Sequence, residues 1–143
     1  MFNWLKKHKN KKEIKKNLIE LKKMILEIKI NENSSGKELE EFYNKVAVWA
    51  KVLSEKEIEF FTVMGELSTS DKVELLNHID ACVHNYGAKM VKLNDVLIAC
   101  LDEEKISAST KAEIVLFGKS NIDKSNETLS ILRNLAKYIA LSK

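Results

Sequence analysis

Glu74, His78 and Cys82 recur at intervals of four, so on an α-helix a carboxylate, an imidazole and a thiol fall along one stripe with donor atoms suited to zinc. A zinc site needs three or four converging ligands, and the sequence supplies no second pair, so the spacing predicts a rim position beside Ile79 and Val83 and no bound metal. The di-iron bundle signature, Glu-x-x-His on two helices, occurs nowhere. Gly118-Lys119-Ser120 ends like a phosphate-binding loop, but the position five residues before Gly118 is Glu113 and no strand pattern precedes it, which excludes a nucleotide loop. There is no Gly-x-Ser-x-Gly elbow, and the three histidines have no evident acid or nucleophile partner. These residues predict a protein that is not an enzyme and uses no cofactor.

His84-Asn85-Tyr86-Gly87-Ala88 resembles the phosphorylated segment of histidine phosphotransfer domains, which are four-helix bundles. The lysine which that family places three residues after its histidine is Gly87 here. The resemblance implies phosphotransfer through His84 as a third reading, and no other residue takes a role from it.

The N-terminus has a different chemistry. Phe2, Trp4 and Leu5 stand immediately before Lys6, Lys7, Lys9, Lys11, Lys12, Lys15 and Lys16. Met1 to Lys29 carries a net charge of +7, leaving −4 on the rest of the chain. Aromatic side chains favour the headgroup boundary of a bilayer, and each lysine near an anionic surface adds about 1 kcal/mol, so the segment suits reversible attachment to an anionic membrane. The same lysines could neutralise phosphates of a nucleic acid. Arg133 is the only arginine, which weighs against sequence-specific base reading.

These groups must be carried by helices. Apolar residues recur at three and four in Ile14, Leu18, Leu21, Ile25, Ile28, then from Leu39 through Phe42, Val46, Trp49, Leu53, Phe60 and Met64 to Leu67. They recur again from Leu76 through Ile79, Val83, Tyr86, Met90 and Leu93 to Leu97, and more weakly at Leu129, Leu132, Ala136, Ile139. With no proline in the chain, the pattern predicts an all-α protein: an elongated antiparallel four-helix bundle over residues 11–143 behind a basic and aromatic tail, residues 1–10. Helices are expected from about Lys11 to Ile30, to about Leu67, to about Glu104, and from about Thr110 onward. The fourth is expected to kink or split near 118–126, where Gly, Ser and Asn crowd and the apolar faces on either side do not line up. On the second, Val48, Val52 and Val63 project away from the seam and suggest a partner face.

At 143 residues the chain is one domain that buries a sufficient core without disulfides. Cys82 and Cys100 are eighteen positions apart, roughly 27 Å along one helix, too far to pair, so both read as reduced thiols. With no secretory signal and no apolar run long enough to span a bilayer, the expected location is the cytoplasm, including the inner face of the membrane. The reading is therefore a non-enzymatic helical bundle that binds a macromolecular partner as an adaptor, inhibitor or immunity-type protein, with oligomerisation open. The alternative is a charge-driven accessory protein of nucleic acids.

Overall fold

Three serines start three of the helices in the same way. Ser35, Ser68 and Ser107 each hold an extended backbone conformation, and each accepts a hydrogen bond from the amide three residues on, at Glu38, Asp71 and Thr110. At Ser35 the capping box is complete, because Glu38 also accepts from the Ser35 amide. The computed structural model describes residues 11–142, and in that span the chain is all-helical: α1 (Lys11–Leu26), α2 (Gly36–Glu55), α3 (Glu57–Met64), α4 (Thr69–Leu101) and α5 (Ala108–Leu141). No strand is present among the described residues.

Five helices stand where the spacing suggested four. The second predicted helix is broken at Lys56, whose backbone leaves helical values at φ −128° and ψ 30°. The two halves therefore follow different axes, and the turn lets Trp49 of α2 meet Phe60 of α3 edge to face, 6.2 Å between ring centres. The fourth predicted helix does the opposite. It runs unbroken through 118–126, because α4 lies alongside it there and packing supplies what the weak helix formers lack.

The first predicted helix ends early, at Leu26, and the chain continues as a non-helical strap through 27–35. The apolar pattern survives the change, since Ile28 and Ile30 still point into the core. Backbone carbonyls that leave a helix need donors, and one stripe of α4 provides them. His78 Nε2 lies 2.6 Å from the Ile28 carbonyl oxygen, and the Cys82 thiol donates to the same oxygen at 3.2 Å. Asn85 donates to the carbonyl of Ile30 and Lys89 to that of Ser34.

α4 and α5 form a long antiparallel hairpin. α1 lies on α4 and α3, while α2 and α3 lie on α5. The core sits between these two layers, at the lower half of the hairpin, around Trp49, Phe42, Phe60 and Tyr86, all fully buried. Tyr43 closes its upper edge. It packs edge-on against Tyr86, accepts a hydrogen bond from that phenol at 3.2 Å, donates to the Met90 sulfur, and has the Lys124 ammonium 4.2 Å from its ring centre.

Lys22 ties α1 to the start of α4, 2.9 Å from Asp71 and 3.8 Å from Glu74. The Lys22 hydrogen bond holds the Asp71 carboxyl below its ordinary value of 3.8, and the Ser35 amide holds Glu38 below 4.5. Both folded-state values lie under the unfolded ones, so the stabilisation is present above the ordinary carboxylate range and is lost as pH falls through the depressed values. Urea midpoints should therefore drop on acidification below about pH 4, and the drop should be shallower in Asp71→Asn with Glu38→Gln. An unchanged acid slope in that double variant would contradict the assignment.

Candidate interaction surface

Between Tyr86 and Thr128 no residue is buried. The upper parts of α4 and α5 thus rise beyond the core as a two-helix arm, residues 87–127. Arms of this kind normally carry polar outer faces, and this one carries exposed apolar residues among its charged ones. Seven of the eleven large apolar residues exposed on the described chain lie on it: Val91, Val96, Ile98, Val115, Leu116, Phe117 and Ile122.

Projection at about 100° per residue sorts the hairpin into two flanks. One flank is covered at its base by the other three helices: on α4 it holds His78, Cys82, Asn85 and Lys89, bound to the strap, and on α5 it holds Lys124 and Tyr138, which touch Tyr43 and Phe61. Val96 and Phe117 continue this flank above the point where α2 and the strap end. The opposite flank is open over its whole length. A cleft lined by Leu76, Asp80, Val83, Arg133 and Ala136 marks its lower part, and a second, between Met90, Asn94, Leu97, Gly118 and Ile122, marks the arm. A Cβ added at Gly118 would only reach ordinary contact with Leu97, so the glycine leaves the second cleft open without being required by the helix. That cleft measures about 270 Å³, below the range of roughly 300–1,000 Å³ for pockets that enclose a small molecule. It is a groove between helices.

The residues singled out from the sequence fall elsewhere. Val52 and Val63 are completely buried, which overturns their reading as a partner face, and Val48 is half-buried against the core. Val52 stands three residues after Trp49 on α2, about 60° round the helix from it, and so falls beside the seam and not opposite it, whereas Val63 lies beyond the break at Lys56, where the projection along α2 no longer applies. Phe2, Trp4, Leu5, Lys6, Lys7 and Lys9 lie outside the described residues. Lys11 and Lys12 open α1, their side chains likewise outside the description, and Lys15 and Lys16 are exposed on its next turn. Lys22 at the start of α4 and Ile28 at its third turn set α1 running in the same direction as α4, so the basic end points away from the arm.

His78 and Cys82 serve the strap. They are 3.7 Å apart and share the Ile28 carbonyl, while Glu74 turns to Lys22. Burial pushes the Cys82 thiol up to about 11, so it remains a protonated donor. No grouping of three or more metal-ligating side chains occurs among the described residues. His84 is exposed. Among the described residues no helix is long and apolar enough to cross a membrane. No protein-family model, curated protein or solved structure matches the chain.

The exposed arm escaped the sequence reading although its residues were in view. The signal was the surplus of apolar residues beside the seam, Val91 and Ile98 on one helix and Val115 and Ile122 on the other, each pair seven apart. A repeat of seven returns to nearly the same face of a helix, so each pair extends a stripe that the seam alone does not need.

Proposed function

We propose that the protein is a non-enzymatic binding protein whose arm docks a protein partner. The observation that carries this is the concentration of exposed apolar side chains on a projecting helical hairpin that has no fully buried residue. Leu116 and Phe117, 65% and 57% exposed, form a bulky neighbouring pair at mid-arm and are the anchors an incoming helix or groove would bury. The adaptor, inhibitor and immunity-type roles are variants of this reading. The basic N-terminal segment, which leads into the end of α1 away from the arm, would hold the protein to an anionic surface, be it a membrane or, in the alternative reading, a nucleic acid.

Photo-crosslinking tests the proposal. A crosslinking amino acid at position 117, expressed in the native cell, should give one dominant adduct, and Leu116→Ser should weaken it at least several-fold while leaving the helical content unchanged. An exposed residue away from the hairpin, such as Glu40 on α2, should give none. Equal crosslinking from positions 117 and 40 would refute a specific site on the arm.

A further inference from the structure

The open flank carries its own charge pattern. On α4 and its C-cap the flank holds Asp80, Asp95 and Asp102 and no lysine or arginine; on α5 it holds Lys111, Lys119, Arg133 and Lys137, with Asp123 further round, beyond Lys119. No ion pair among the described residues engages any of these side chains. The two edges are also in step. Asn94 and Gly118 line one cleft and Asp80 and Arg133 the other, so each residue up α4 corresponds to one residue back along α5. In that register Asp80 is level with Arg133, Asp95 with Lys119 and Asp102 with Lys111. Between the charged edges, Val91 is level with Ile122 and Ile98 with Val115, each of the four between 46% and 61% exposed.

A surface with apolar centre lines and one edge of each sign is complementary to itself, but only in one orientation. A two-fold axis parallel to the hairpin leaves every residue at its level and exchanges the sides. α4 of one copy then lies over α5 of the other, each aspartate meets a lysine or arginine, and Val91 and Ile98 meet Ile122 and Val115. An axis perpendicular to the helices would set aspartate on aspartate and lysine on lysine.

We propose that the open flank of the α4–α5 hairpin is the interface for a second copy of this chain, giving a parallel two-fold dimer with both arms projecting the same way. The inference rests on reading the arm as an interaction surface, but it uses the flank opposite Phe117, so that the two can fail separately. In the dimer the Val96 and Phe117 flanks face outward as two copies of the partner site.

Sedimentation equilibrium on the full chain tests it. The wild-type protein should show twice the chain mass. Asp95→Lys and Lys119→Asp should each raise the dissociation constant about tenfold, since by symmetry each change sets two pairs of like charge face to face. Mixing the two single variants should restore wild-type affinity within about threefold, because in the mixed dimer both contacts regain opposite charges. That rescue cannot come from contacts within one chain, where mixing changes nothing. Asp80→Lys mixed with Arg133→Asp should behave likewise, and covers the case in which either of the first variants fails to fold. A monomer at every concentration, a dimer indifferent to the reversals, or reversals not rescued on mixing would overturn the interface. A monomer that still crosslinks specifically from position 117 would overturn it while leaving the proposed function standing.

Discussion

Replacing Trp49 with alanine is expected to lower the stability of the fold by about 3–5 kcal/mol, out of the roughly 5–15 kcal/mol that a domain usually has. Trp49 is 1% exposed and lies where α2 gives way to α3. Its ring meets Phe60 across the break, so truncation loses the transfer energy of the indole, the edge-to-face contact and the packing that holds α3 to its new axis. Urea unfolding followed by circular dichroism reads the effect as a lower midpoint. A variant as stable as the parent would mean that α2 and α3 do not meet through this residue.

Placing a carboxylate at Val63 is expected to be as damaging or worse, with a loss of more than about 4 kcal/mol. Val63 is 0% exposed on α3, among Val52, Phe60 and Met64 of the buried cluster. An aspartate there must either remain charged in an apolar site or take up a proton at a cost of comparable size. Ile58 provides the control on the same short helix. It is 79% exposed, and Ile58→Asp should change stability by no more than about 0.5 kcal/mol. Thermal melts of the two variants distinguish a buried Val63 from one on a partner face, where the carboxylate would spare the fold and affect only binding. Equal melting of Val63→Asp and Ile58→Asp would show α3 to be turned the other way.

Much of the helical content was legible in the residues. Spacing of three and four identified Leu21, Ile25, Phe42, Val46, Trp49, Ile79, Tyr86, Leu132 and Ile139 as inward, and all are buried. Helix starts are likewise local, because a serine hydroxyl such as that of Ser68 or Ser107 reaches an amide three residues away whatever the rest of the chain does. Periodicity failed where it was asked for a direction in space. It continued through Lys56, since the pattern of Leu53, Phe60 and Met64 is compatible with one axis or two, and it stopped near 118–126, where the partner helix alone keeps α5 regular.

The roles of polar residues were decided in the same way. His78 and Cys82 by themselves have the composition of half a metal site; only the strap, packed against α4 fifty residues away in sequence, turns them into donors for the Ile28 carbonyl. The arm is the strongest instance. Val91, Ile98, Val115 and Ile122 were visible as apolar residues on helices, but whether such residues are core or surface depends on how far the other elements reach, and α1, α2 and α3 all lie at the lower half of the hairpin. The sequence by itself determined that this chain is helical and which residues make up much of the core, because periodicity acts within a few residues. Tertiary structure alone decided which apolar stripes remain uncovered, because exposure depends on elements distant in the chain and on the axes along which they pack.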